Sequence, residues 1–177
     1  VYDHSGSGNN GSVTSAVVSS NGKINGGFSF DGSGDDIDIP ELVSNVSGTF
    51  TAWFKSNSSA AQYIIGSSYS SNDRYYFYLD GGELNGRLGN GGAVTVSGDY
   101  SDNEWYFASL NWSDGVFTLC VNGDSSCNAG SYTTLNEPVS LFIGRSTAGV
   151  YFNGLMDEVM VYNRSLSASE ITELFEK

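Results

Sequence analysis

The closing stretch "GLMDEVMVYNRSLSASEITELFEK" sets two carboxylates, Asp157 and Glu158, side by side in a run with strand character. With a period of two, Leu155, Asp157, Val159 and Val161 fall on one face and Met156, Glu158, Met160 and Tyr162 on the other. Both faces are largely apolar, so cover is expected on both sides of the strand. A carboxylate moved out of water without a partner is costly enough that it protonates instead. The local sequence offers no cation except Arg164, so the partner must come from elsewhere in the fold.

A second set of residues has the chemistry of sugar recognition. In "RYYFYLD", Tyr75, Phe77 and Leu79 take one side and Arg74, Tyr76 and Tyr78 the other. In "ELNGRLG", Leu84 and Leu88 point inward, and Asn85 and Arg87 outward. If the two strands pair, one outer surface gathers Arg74, Tyr76, Tyr78, Asn85 and Arg87. Tyrosine faces stack on the apolar faces of sugar rings, while Arg and Asn bind hydroxyls or carboxylates. Arg145 and Tyr151, at a loop edge, extend such a groove. The plainer alternative is a solvated sheet face whose tyrosines cover the strands.

Other chemistries find little support. His4 is the only histidine and lies in a Gly-rich loop with no Ser or Cys partner in motif, which argues against a hydrolytic triad. "GSGNNG" lacks the Lys of a phosphate loop and follows no strand. The balance of 20 Asp+Glu against 7 Lys+Arg, a net charge of −13, repels phosphate backbones and anionic lipid, which argues against nucleic-acid and membrane-surface partners. The acidity fits either cation binding or life in brine, where at about 1 M salt the Debye length falls to ~3 Å and self-repulsion vanishes. No apolar run approaches the ~20 residues of a membrane span.

Cys120 and Cys127 flank "CVNGDSSC", where a turn at Asn122-Gly123 would bring the sulfurs together across a hairpin. The expected disulfide implies an extracellular or cell-surface location; the alternative is a pair of small buried hydrophobes. Five Asn-X-Ser sites, at Asn10, Asn45, Asn57, Asn111 and Asn163, permit glycosylation in a secreted chain. The opening at Val1 has the look of a mature product or an excised domain.

The elements that position these residues are short. With 177 residues, 14% aromatic, 23 Gly and only 2 Pro, the chain suits one all-β domain over 1–177. About a dozen antiparallel strands are expected from runs such as "GTFTAWFKS", "QYIIGSS", "AVTVSG" and "SLFIGRS". The run "EWYFASLNWSDGVFTLCVNG" reads as a hairpin turning at Ser113-Asp114-Gly115. One helix closes the chain: Ser167 caps it, Glu170 completes a capping box, and Leu166 with Ile171 forms the hydrophobic staple. Ile171, Leu174 and Phe175 then make a stripe that can dock on the outer face of the preceding strand.

The order of "DHSGSGNNGS", "FSFDGSGDDIDIP", "GTFTAWFKS", "EWYFASLNW", "LCVNG", "LFIGR" and "GLMDEVMVYNRSLSASEI" resembles laminin-G-like jelly rolls of the concanavalin A-like lectin and glucanase superfamily. The resemblance implies a sandwich of two curved antiparallel sheets, extracellular, often holding a structural calcium and binding sugars or proteins. Ca²⁺ takes six to eight oxygens from carboxylates, carbonyls and water. On this footing Asp3 and Asp157 are the expected carboxylate ligands, with Asn9 and the carbonyl of Gly11 completing the shell and Asp31 in reserve. Without a metal, Asp157 would be held by backbone amides. Glu158 is expected to accept hydrogen bonds from the turn before the helix.

Glucanases of the superfamily use closely spaced carboxylates, Glu-x-Asp-x-Glu or Glu-x-Asp-x-x-Glu. "DIDIPE" offers Asp36, Asp38 and Glu41, but its first member is Asp and Pro40 interrupts the strand. The expectation is therefore a non-enzymatic, calcium-stabilised module of a larger surface protein, recognising carbohydrate or a cell-surface glycoprotein, with no catalytic residues and no insertion in a membrane. The rivals are a glycoside hydrolase and a ligand-free spacer.

Overall fold

Trp112, Phe50 and Tyr75 meet edge to face at the centre of the molecule, with Phe50 and Trp112 centroids 5.0 Å apart. They belong to three strands of a two-sheet sandwich. The computed structural model describes residues 1–40, 43–67, 70, 72–138 and 140–177. Its strands are β1 (Ser12–Thr14), β2 (Val17–Ser19), β3 (Gly27–Asp31), β4 (Asp36–Ile39), β5 (Ser47–Lys55), β6 (Gln62–Ser67) and β7 (Tyr75–Asp80). There follow β8 (Glu83–Leu88), β9 (Val94–Val96), β10 (Tyr106–Ser113), β11 (Val116–Val121), β12 (Ser126–Ser131), β13 (Leu141–Ile143), β14 (Asn153–Tyr162) and the helix α1 (Ala168–Phe175).

One sheet has the order β1-β4-β13-β6-β7-β8-β9 and the other β12-β11-β10-β5-β14-β3-β2, every pairing antiparallel. This is the expected jelly-roll sandwich. Alternation sends Phe50, Ala52 and Phe54 of β5 and Tyr75, Phe77 and Leu79 of β7 into the shared core. Each large side chain removed from water there contributes about 1.5–3 kcal/mol. Close approaches need glycine: a Cβ on Gly48 would lie 2.2 Å from the Trp112 ring.

The hairpins follow their turn residues. Asp114 (φ 51) and Gly115 (φ 80) join β10 to β11 as a two-residue turn with both φ positive. Cys120 and Cys127 stand opposite each other in the β11–β12 ladder and form a disulfide, with Cα atoms 4.1 Å apart. It fastens the edge strand β12, most of whose residues are exposed.

Helix α1 has its capping box: Glu170 N–H donates to Ser167 Oγ at 3.3 Å and Ser167 N–H to Glu170 Oε2 at 2.8 Å. Leu166 and Ile171 are buried with Trp53 and Phe107, on the side of β5 and β10 turned away from the main core. Phe175 stacks on Trp53 with centroids 5.6 Å apart.

The terminal strand departs from simple alternation. Its register against β5 shifts between Asp157 and Met160, and Glu158 takes φ 48. Met156 lies in the core before the bulge and Val159 and Val161 pack against the core after it. Asp157 and Tyr162 face outward, paired with Trp53 and Thr49 of β5. The two apparently apolar faces are thus one inward face interrupted by an extra residue. Glu158 is exposed, and the turn before the helix is held instead by Asn111, Thr49 and Glu170.

Candidate functional site

The outer face of the first sheet is built from β6, β7 and β8. Strict alternation in β7 and β8 pairs Tyr76 with Arg87 and Tyr78 with Asn85, all directed away from Phe77, Leu79, Leu84 and Leu88 of the core. Tyr63 of β6 stands opposite Tyr78. Tyr63 and Tyr78 stack at 5.1 Å with planes 18° apart, and Tyr76 meets Tyr63 edge-on at 5.2 Å. Burial pushes the Tyr78 hydroxyl above its ordinary range, Asp80 adds to this, and the Arg87 guanidinium works against it.

Arg87 is aimed by its backbone neighbourhood. Its Nε donates to the Gly91 carbonyl at 2.8 Å, and its two terminal nitrogens make no hydrogen bond or ion pair with a described residue. A guanidinium so held presents two parallel donors at no further ordering cost. Asn85 is spent on its neighbours: Oδ1 accepts from Thr95 Oγ1 at 2.6 Å and Nδ2 donates to the Glu83 carbonyl at 3.0 Å. It is buried and supports the face without offering free groups. Arg74 stands just before β7, where its carbonyl accepts from Gly89 N–H at 2.9 Å.

Arg145 and Tyr151 lie beyond β6, bridged to each other in the loop that leaves β13. Arg145 lies 3.7 Å over the Phe142 ring, and its Nε is 3.1 Å from Asp36 Oδ1. That N–H does not point at the oxygen and has no hydrogen-bond partner, so the contact is an ion pair only. The loop crosses β6 at Gly66, where a Cβ would lie 2.4 Å from the Arg145 carbonyl. Tyr63 and Phe142 thus join the face although the alternation pattern did not pick them out. "QYII" and "LFI" are apolar on both parities and carry no mark of which side is outer.

Of the four residues expected to bind calcium, both carboxylates are held by amides of the chain itself. Asp3 closes its own loop, accepting from Ser5 N–H and Ser5 Oγ, both at 2.8 Å, and from Asn9 N–H at 2.9 Å. The Ser5 amide bond, then the Asn9 one, holds its carboxyl below the usual range. Gly11 pairs with Val1 through two backbone bonds and leads into β1 of the first sheet. Asp157 lies on the outward side of the second sheet, whereas that loop leads into the first. Its Oδ2 accepts from Ile24 N–H at 2.7 Å and its Oδ1 from Glu158 N–H at 2.8 Å. Among the described residues no three His, Cys, Asp or Glu side chains gather as a metal site. Asp31, the reserve ligand, caps its own turn at Ser33 N–H.

Of the carboxylate trio, Asp36 is buried against Arg145, Asp38 is exposed, and Glu41 lies outside the described residues. Strand β4, which carries Asp36 and Asp38, sits one place in from the sheet edge. Asn111, one of the glycosylation-type asparagines, is tied into the fold by Thr49, Ser165 and Leu166.

Two antiparallel sheets packed in this order define the class of jelly-roll sandwiches. The family model of the concanavalin A-like lectin/glucanases superfamily, laminin G type, matches residues 31–172, and the chain belongs to that family. No curated protein matches it by sequence. Among solved structures, domain 4 of the GH43 extracellular arabinanase AbnA from Geobacillus stearothermophilus, in complex with arabinotriose, superposes with TM-score 0.80 at 19% identity, covering 97% of this chain and 91% of that one. The receptor binding domain of botulinum neurotoxin D gives 0.73 at 19% identity, over 99% of this chain and 49% of that one. A botulinum neurotoxin type C structure, from work on cell entry through two ganglioside molecules, gives 0.75 at 15% identity over 99% and 48%. The chain spans about half of each toxin domain, and at these identities the likeness is one of fold.

Proposed function

We propose that this domain is a non-enzymatic binding module for carbohydrate or a cell-surface glycoprotein, working outside the cell through the outer face of β6, β7 and β8. The observation that carries this reading is the Tyr63–Tyr78 stack beside Arg87, whose terminal nitrogens bond to no described residue. The rings offer apolar area and edge C–H groups to a sugar face, and the guanidinium offers donors to hydroxyls or a carboxylate. Arg145, over Phe142, marks the far end of the same face. The arabinotriose complex of the arabinanase domain and the ganglioside dependence of the toxin support carbohydrate as the ligand class. The disulfide and the extracellular arabinanase support a secreted setting.

Asp36 supports the absence of glycoside hydrolysis. A general acid must be free to protonate a leaving group, whereas Asp36 is buried and faces Arg145. No step here runs through calcium; the Asp3 and Asp157 carboxylates accept from backbone amides.

A glycan array probed with wild-type protein and with Tyr78→Ala and Arg87→Ala tests the reading. Binding to a defined glycan set, weakened about fivefold or more by each variant at a cost of ~1 kcal/mol per lost contact, is expected. Wild-type binding that both variants retain, or glycan turnover lost in Asp36→Asn, would overturn it.

A further inference from the structure

On the opposite side of the sandwich, the second sheet carries a cavity of about 180 Å³ lined by polar side chains from four segments. Lys55 ends β5, Asn57 follows it, Asn103 precedes β10, and Asn153 opens β14. Leu155 supplies apolar wall, while Phe30, beside it in the lining, has its ring in the main core. Lys55 and Leu155 are cross-strand partners, as are Leu155 and Ser29, so the cavity floor is a row across β5, β14 and β3.

The frame is rigid. Ser56, almost wholly buried, accepts nothing from solvent: its Oγ donates to the Asn153 carbonyl at 2.8 Å and receives Gln62 Nε2 at 2.9 Å. Its carbonyl accepts from Asn103 N–H at 2.8 Å, and Asn153 N–H donates to Gln62 Oε1 at 3.0 Å. One serine thus fixes the segments that present the asparagines. Gly154 allows the closest approach, since a Cβ there would lie 2.1 Å from the Lys55 carbonyl.

The groups presented are unspent. The side chains of Lys55, Asn57, Asn103 and Asn153 make no hydrogen bond or ion pair with any described residue. The Lys55 ammonium makes no ion pair with a described carboxylate, and it stands among three amides. Each amide offers both donors and an acceptor, the complement of vicinal hydroxyls.

We propose that this cavity is a second binding site, independent of the tyrosine face, that takes one carboxylate-bearing sugar residue of the hexuronate type. The carboxylate sits on Lys55, the hydroxyls on Asn57, Asn103 and Asn153, and the C–H face of the ring on Leu155.

The test is an amide-detected NMR titration of unglycosylated protein with sodium glucuronate, against glucose and sodium acetate at matched ionic strength. Saturable shifts of the Asn57, Asn103 and Asn153 side-chain amides are expected with glucuronate, with glucose and acetate each about tenfold weaker or worse. Lys55→Met should weaken glucuronate by about tenfold while leaving the melting temperature and the behaviour of the tyrosine face unchanged, and Lys55→Gln should do the same. Absence of saturable shifts with glucuronate, equal binding of glucose, or full binding by both Lys55 variants would overturn the proposal. Loss of glycan binding in Tyr78→Ala with glucuronate binding kept would leave this site standing by itself.

Discussion

Tyr63 and Tyr78 lie ring on ring across the β6–β7 pairing, 5.1 Å between centroids. Each therefore fixes the tilt of the other, and removing either ring frees its partner as well as deleting its own face. Single Tyr63→Ala and Tyr78→Ala variants are each expected to lose about 1 kcal/mol of ligand binding, roughly fivefold. The double variant should lose clearly less than the sum, because residues in contact are not additive. Tyr78→Phe keeps the stack and should bind nearly as wild type. Isothermal titration with an array-positive glycan measures all four, and strict additivity would show that the stack does not act as a unit.

Glu158 adopts φ 48 at the β14 bulge, in a conformation glycine accepts at no steric cost. Glu158→Gly is expected to leave stability unchanged or raise it by ~0.5–1 kcal/mol, whereas β-branched Glu158→Val should lose at least ~1 kcal/mol. Urea unfolding distinguishes them. A loss in the Gly variant equal to that in the Val variant would mean the carboxylate, and not the backbone, matters at this position.

That bulge also shows how far the sequence could be followed. The inward set Tyr75, Phe77, Leu79, Leu84 and Leu88 and the outward set Tyr76, Tyr78, Asn85 and Arg87 were legible because polar and apolar residues alternate there without interruption. The helix was legible because a capping box is a local pattern. In β14 a single inserted residue reverses parity, and no Gly or Pro marks it, so Asp157 and Val159 were assigned to one face although they lie on opposite ones. Tyr63 was hidden because "QYII" is apolar on both parities around a second register shift. The Lys55 cavity depends on backbone bonds to Ser56 from residues 103 and 153, a convergence without sequence period. The placing of Asp3 relative to Asp157 has no sequence period either: loop contacts are set by topology, and β1 and β14 belong to different sheets.

Asp157 is buried at 7% exposure, with one amide donor on each oxygen, and it faces Trp53 across the ladder. Removing a charged acceptor from two such bonds leaves the Ile24 and Glu158 amides short of a partner, at ~1.5–3 kcal/mol per bond. Asp157→Ala is accordingly expected to cost a few kcal/mol, to the same extent in EDTA and in calcium chloride. Wild-type melting temperature should not fall on chelation at matched ionic strength. It should instead rise with sodium chloride, since screening relieves the repulsion of a −13 chain. A calcium-specific rise that Asp157→Ala abolishes would restore the metal to this residue.

Glu170 links the cap of α1 to the turn that follows β14. Both its oxygens meet Arg164, at 2.6 and 3.0 Å, and its Oε2 also accepts from Ser167 N–H at 2.8 Å. The Arg164 contact, followed by the Ser167 bonds, holds the carboxyl down at about 2, against 4.5 for a free glutamate. A depressed folded-state value means the ionised form favours the docked helix. Its contribution is fully present above pH 4.5 and disappears as the pH falls through about 2. The group is exposed, so the effect should be small and salt-sensitive. Because Phe175 covers Trp53, undocking of α1 is readable as a change in tryptophan fluorescence. Wild type is expected to show that change below pH about 4.5, before global unfolding, with Glu170→Gln already partly changed at neutral pH and flat across the window. Identical pH profiles for the two proteins would show that the Glu170 carboxylate does not hold the helix in place.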